Sequence, residues 1–126
     1  MRERFTWKKE EKLKSRKRIE CVFKEGRSFS VFPFKVFYLV GPGGTAVQAG
    51  FGAGARHFKK AVDRNRIKRL SREAYRLQKQ PLIDRMREKG LSMAVFFIYT
   101  GKELPDYQTI SGKIGVVLQK LIRETA

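Results

Sequence analysis

One segment concentrates the residues best able to meet an anion. From Lys59 to Arg76 the chain reads KKAVDRNRIKRLSREAYR, eight basic residues against Asp63 and Glu73. The spacing is helical. Arg64, Lys68 and Arg72 fall at i, i+4 and i+8; Asn65, Arg69, Arg72 and Arg76 fall at i, i+4, i+7 and i+11, so they share one broad face. Lys59, Lys60 and Arg66 extend it. Like charges on one helix repel, so a negative partner must come from outside the chain. The phosphates of a nucleic-acid backbone supply one, and their neutralisation releases counterions. Asn65 adds an amide that both donates and accepts hydrogen bonds, useful on nucleotides and unnecessary on a solvated face. The plainer reading, a soluble helix rich in Lys and Arg, fits less well because solvated faces usually intersperse both signs.

A second constellation is aromatic. Lys35 and Phe37 share one face of a predicted strand, and Ile19 and Phe23 can turn toward it from a predicted helix. Single-stranded nucleic acid is held by such a surface: rings stack on bases and cations follow phosphates. Aromatic stripes are more usually ordinary core, and the residues by themselves favour that reading over the cleft.

Hydrolytic machinery is not legible. No paired carboxylates or triad stand out, and one Cys and one His cannot build a structural zinc site. Gly50-x-Gly52-x-Gly54 lacks both the glycine spacing of a dinucleotide fold and the Gly-Lys-Ser/Thr end of a nucleotide loop. We therefore expect no catalytic residue, no protein-bound metal and no protein-bound cofactor; any divalent metal would be shared with nucleic-acid phosphates.

The elements that must position these residues follow from pattern. Residues 1–14 read as a flexible basic arm, with Phe5 and Trp7 as possible anchors. Ser15 can cap a helix to about Glu25, with Ile19, Val22 and Phe23 as its apolar stripe and Gly26 as its stop. Phe29 to Val40 is β-prone, with Phe34, Val36, Tyr38 and Val40 facing the core. GPGG at 41–44 signals a turn, after which Thr45 to Ala53 is expected to return as an antiparallel partner, with Val47, Ala49 and Phe51 inward. The face left to Gln48, Gly50 and Gly52 is small enough for close approach. The basic helix runs from about Lys60 to Gln78 on a stripe of Ile67, Leu70, Ala74 and Leu77, and Pro81 ends or kinks it. A short helical turn to Lys89 stops at Gly90. Met93 to Thr100, apolar on both faces, suits a central strand. Pro105 and Asp106 open a last helix whose stripe is Ile110, Ile114, Leu118, Leu121 and Ile122. The order predicts one α+β domain over 1–126, an α/β sandwich with a mostly antiparallel sheet and room for one further edge strand.

Composition narrows the partner. The 126 residues carry 29 Lys+Arg and 12 Asp+Glu, net +17. Segments 1–27 and 56–79 hold net +6 and +8, and flank a stretch, 28–55, whose one charge is Lys35. A polyanion, nucleic acid before membrane surface, is the expected partner. Cys21 is the sole cysteine, which excludes an internal disulfide and fits a reducing, cytoplasmic compartment. No apolar run approaches a membrane span, and the N-terminal residues lack the pattern of a signal peptide.

The run Lys60 to Arg76, with Arg64-Asn65-Arg66 followed by Ile67-Lys68-Arg69, closely resembles the signature of the bacterial ribonuclease P protein component. Val22-Phe23-Lys24-Glu25-Gly26-Arg27-Ser28 and the element order agree, and the resemblance spans about residues 12–124. It implies a fold like ribosomal protein S5 domain 2 with a left-handed βαβ crossover, against the usual right-handed rule. It also implies binding to a catalytic RNA through the basic helix and to the 5′ leader of precursor tRNA in a cleft between first helix and sheet. Chemistry then lies in the RNA and its Mg²⁺, and the protein alone is inactive. The cleft would comprise Ile19, Phe23, Lys35, Phe37, Arg56 and His57. Similar proteins place consecutive basic residues after Ser-Val before the signature helix. Here Gly52-Ala53-Gly54-Ala55-Arg56-His57 stands there, so only Arg56 and His57 match, and Ala55 replaces a common Lys. His57 is read equally well as a phosphate contact or as a loop residue of no consequence. Two other classes compete: a structural RNA-binding protein of ribosomal type, which needs no aromatic groove, and a DNA-binding protein, for which neither a dimerising heptad nor a helix-turn-helix is visible.

Overall fold

The structure, a computed structural model, describes residues 11–44, 46–54 and 56–125. Its elements are α1 (Arg16–Glu25), β1 (Arg27–Val31), β2 (Phe34–Pro42), β3 (Val47–Ala53), α2 (Ala61–Gln78), α3 (Gln80–Lys89), β4 (Leu91–Tyr99) and α4 (Tyr107–Glu124). The four strands form one mixed sheet in the order β1-β2-β4-β3.

Local chemistry sets the boundaries. Ser15 caps α1, its hydroxyl accepting from the Arg18 N–H at 3.3 Å. Gly26 ends α1, where a Cβ would stand 2.5 Å from the carbonyl oxygens of Val22 and Tyr38. Gly90 stops α3 in the left-handed region, φ 66°. Asp106 caps α4 by accepting from the Thr109 N–H at 2.8 Å, and hydrogen bonding from the Thr109 hydroxyl, together with that N–H, holds its carboxyl below the usual carboxylate range.

The sheet separates two layers. On one face Phe34, Val36, Tyr38, Val47, Ala49, Phe51, Val95 and Phe97 pack with Ile67, Ala74 and Tyr75 of α2, Leu82 and Met86 of α3, and Ile110, Ile114 and Leu118 of α4. On the other face α1 lies over β2 and β4, where buried Val22 and Ala94 meet Ile19, Phe37, Leu39 and Phe96. Burial of one such aliphatic side chain contributes about 1.5–3 kcal/mol.

Three expectations are corrected. β3 does not return on β2: β4 lies between them, antiparallel to β2 and parallel to β3. The Gly-rich turn promised a local hairpin, but β4, apolar on both faces, has more to gain from the central position. The β-prone run also divides at Phe32–Pro33, so β1 is the further edge strand, paired with β2. On α2, Leu77 is exposed, and the buried positions are Ile67, Ser71, Ala74 and Tyr75. The helix is rotated toward Tyr75, whose ring meets those of Phe51 and Phe97.

Of the arm expected over 1–14, only residues 11–14 are described. Residues 1–10, with Phe5 and Trp7, lie outside the described residues. Residues 11–13 are docked: Lys12 bridges Ala49 in parallel, the Leu13 N–H donates to the Ala49 carbonyl at 2.9 Å, and Leu13 is buried. Glu11 forms a salt bridge with Lys79, whose side chain is 2% exposed.

Candidate nucleic-acid interface

α2 presents the basic face. Its apolar side is committed to the core, which leaves Asn65, Arg66, Arg69 and Arg72 exposed and Lys68 half-buried. Lys59 and Lys60, exposed, lead into it. Asp63 in the first turn and Arg76 in the last complement the helix dipole. Two of the predicted contact residues already have partners within the fold. Arg64 donates to the carbonyls of Phe58 at 2.7 Å and Lys59 at 2.9 Å, and so fixes the loop that enters the helix. Arg76 forms a salt bridge with Glu73 at 2.5 Å; the same bond raises the already high Arg76 pKa. Arg66 and Arg69 meet no carboxylate among the described residues, so their charge is available for phosphates.

The second surface lies on the opposite face of the sheet. Register places Phe37 of β2 beside Phe96 of β4, and Phe96 beside Gly50 of β3. The next row toward the strand end is Lys35, Ile98 and Gly52. Phe23 of α1 sits edge-on to Phe37, centroids 4.8 Å apart, and to Phe96 at 5.4 Å. Its side chain remains 41% exposed. The Lys35 ammonium is 5.4 Å from the Phe37 centroid, a cation–π distance. The result is a partly open aromatic shelf with a cation at its end.

Small residues on β3 make that shelf possible. A Cβ on Gly50 would stand 2.7 and 2.8 Å from Phe96 ring carbons, and one on Gly52 would stand 3.1 Å away. The close approach expected at this face is thus made by the Phe96 ring. Phe96 and Ile98 were not singled out in the sequence, because a strand apolar on both faces does not reveal which residues point which way. The alternation Ala94, Phe96, Ile98 assigns them once β2 is known to be the neighbour.

Of the other cleft candidates, Ile19, like Phe37 and Phe96, packs against the buried Leu13, Val22 and Ala94. Arg56 and His57 are exposed on the loop after β3. That loop starts at the sheet end bearing Lys35, since Lys35 and Gly52 both align with Ile98. Ala55 lies outside the described residues. Arg72 belongs to neither surface alone: it lines a hollow along the outer edge of β3 with Lys12, Lys14, Ile19, Gly50 and Phe96. Lys12 and Lys14, read as part of an arm, thus join Arg72 in linking the two surfaces. Gln48 on the same face accepts from Arg18 Nε at 3.0 Å, tying α1 to β3.

Among the described residues, no three His, Cys, Asp or Glu side chains converge as metal ligands. No helix among them is long and apolar enough to cross a membrane.

These features define a class: a small α+β domain whose basic helix and aromatic shelf lie on opposite sides of one sheet, suited to RNA. Residues 7–122 match the family described as Ribonuclease P. The ribonuclease P protein component of Porphyromonas gingivalis is 39% identical over 108 residues, covering 84% of this chain and 79% of that protein. The structure of the Thermotoga maritima RNase P protein superposes with a TM-score of 0.65 at 28% identity, covering 87% of this chain and 96% of that one. The Staphylococcus aureus RNase P protein shares the fold, with a TM-score of 0.67 at 19% identity over 87% of this chain and 94% of that one. The chain belongs to the bacterial ribonuclease P protein component family, the protein subunit of the enzyme of tRNA 5′ maturation.

Proposed function

We propose that this protein binds the catalytic RNA of ribonuclease P through α2 and its leading loop, and holds the single-stranded 5′ leader of precursor tRNA on the α1 side of the sheet. Lys59, Lys60, Asn65, Arg66, Lys68 and Arg69 face the catalytic RNA. Arg64 shapes the loop that presents them, and Arg76 closes the face. Phe23, Phe37 and Phe96 stack leader bases, Ile19 backs them, and Lys35 with Arg56 and His57 follows the phosphates. Mg²⁺ would be held mainly by the RNA and would supply its chemistry there; the chain's own residues bind, orient and neutralise charge. The holoenzyme works in the cytoplasm and requires neither membrane nor DNA.

The observation that carries this reading is the aromatic shelf with its lysine, on the face of the sheet away from α2. A purely structural RNA-binding protein would need the basic helix but no partly open shelf of three rings. The test is reconstitution. The protein, the cognate catalytic RNA and precursor tRNA are combined at low Mg²⁺, and 5′ cleavage is measured against each component alone. Cleavage is expected with protein and RNA together and not with rigorously purified protein alone. Activity in RNA-free protein, or no stimulation of the RNA, contradicts the proposal.

A further inference from the structure

At the sheet end where Lys35 stands, the turn joining β1 to β2 carries the most exposed large apolar side chain recorded in the described chain: Phe32, 73% exposed. The turn is fixed. Both the N–H and the hydroxyl of Thr100 donate to the Pro33 carbonyl, at 2.7 and 3.0 Å. The segment after β4 is fixed as well. The Tyr99 hydroxyl donates to the Glu103 carbonyl at 2.9 Å, folding residues 101–103 against the ring. Gly101 is required there, since a Cβ would lie 2.6 Å from that hydroxyl oxygen. Between the two segments lies an open hollow of about 820 Å³, lined by Phe32, Pro33, Tyr99, Lys102, Leu104 and Lys113 among others. That volume is within the range of ordinary ligand sites. Leu104 is itself 49% exposed. Both side chains line the hollow, and the segments that carry them are tied down by these hydrogen bonds.

We propose that this hollow is a second single-strand site, in which Phe32 stacks a base of the leader segment that has already passed the Phe23–Phe37–Phe96 shelf. The inference rests on the leader reading above. Continuity supports it: Phe32 lies three residues before Lys35 in the same hairpin, so a strand leaving the shelf past Lys35 and turning round the end of the sheet at Phe32 enters the hollow on the α4 side. The charges indicate what kind of site it is. Lys102 and Lys113 are matched by Glu103 and Asp106 around the same hollow, and the Asp106 carboxylate is engaged in capping α4. Phosphate attraction is therefore small, and base stacking supplies the binding. The site favours leader length over leader sequence, since every base offers a π-face.

The experiment measures holoenzyme affinity for precursor tRNAs whose leaders grow from about 4 to about 16 nucleotides, the span of comparable single-strand sites. The affinity gained with length is expected to fall about fivefold or more in Phe32→Ala and Phe32→Leu, as for one lost stacked base, and to be retained in Phe32→Trp. The short-leader affinity should be unchanged in all three. The length increment should vary little with salt, unlike binding of the catalytic RNA. Phe37→Ala, run in parallel, should weaken short and long leaders alike; its result judges the shelf independently of the hollow. The inference is overturned if Phe32→Ala leaves the length increment intact, if it weakens all lengths equally, or if it acts on assembly with the catalytic RNA. Phe32→Leu behaving as wild type also overturns it, because apolar contact and not stacking would then be at work.

Discussion

Gly50→Ala adds one methyl group at the point where the shelf is thinnest. The new Cβ would lie 2.7 and 2.8 Å from two carbons of the Phe96 ring and 3.0 Å from the Leu13 carbonyl oxygen. Restoring an ordinary carbon–carbon separation requires the ring to withdraw by roughly 0.7 Å. It cannot do so freely, because Phe23 packs against it edge-on and Leu13 is fastened to the neighbouring Ala49. Overpacking of this kind costs about 1–3 kcal/mol. The cost should depend on the ring: Phe96→Val removes the colliding atoms while keeping a residue suited to a strand. In that background Gly50→Ala should cost less than about 1 kcal/mol, the remainder coming from Leu13. Urea unfolding of the four proteins, followed by circular dichroism, gives the cycle, with unchanged slopes showing that the unfolded states are comparable. Equal costs for Gly50→Ala in both backgrounds would refute the argument that Gly50 exists to seat Phe96.

Other contacts make further outcomes measurable. If α2 neutralises phosphates, affinity for the catalytic RNA falls steeply with salt, and Lys68→Ala and Arg69→Ala should each reduce the log–log slope by about 0.7–0.9; Arg64→Ala should in addition destabilise the free protein by about 1–3 kcal/mol, because its bonds to two loop carbonyls are lost. Glu11→Gln removes the carboxylate that meets the Lys79 ammonium at a 2%-exposed site and should destabilise the protein, a loss that a second substitution, Lys79→Met, should partly recover; thermal unfolding of the single and double variants checks it.

The sequence exposed the elements better than their neighbours. Helix caps and stops were legible at Ser15, Gly90 and Asp106 because each acts within a few residues of itself. The two faces of β2 were legible because alternation is local. The pairing of β3 was not: GPGG promises a reversal, and nothing nearby announces that β4, some forty residues later, takes the place beside β2. The same omission hid Phe96, whose facing depends on its neighbours. The buried side of α2 was misjudged at Leu77 because α2 packs against both β3 and α4, which bring Ser71 and Tyr75 inward. The Glu11–Lys79 pair joins residues far apart in sequence, so Lys79 looked like one more surface charge. Within the candidate site, the charge of α2 and the Phe23–Lys35–Phe37 constellation could be read directly. That Arg64 serves the loop, and that Arg72 turns toward Ile19 and Phe96, required the fold.

The central claim is that the two faces of one sheet serve two different nucleic acids. The most direct measurement is the affinity of reconstituted holoenzymes for precursor and mature tRNA, alongside protein affinity for the catalytic RNA, in Phe37→Ala, Lys35→Ala and Arg69→Ala. Phe37→Ala and Lys35→Ala should weaken precursor tRNA, by about 1–3 kcal/mol for a lost stacked base, while mature tRNA and assembly stay as in the wild type. Arg69→Ala should weaken assembly, while the saturated holoenzyme keeps its preference for leader-bearing tRNA. If Phe37→Ala weakens precursor and mature tRNA equally, or acts mainly on assembly, the shelf does not hold the leader and the two-faced account is wrong.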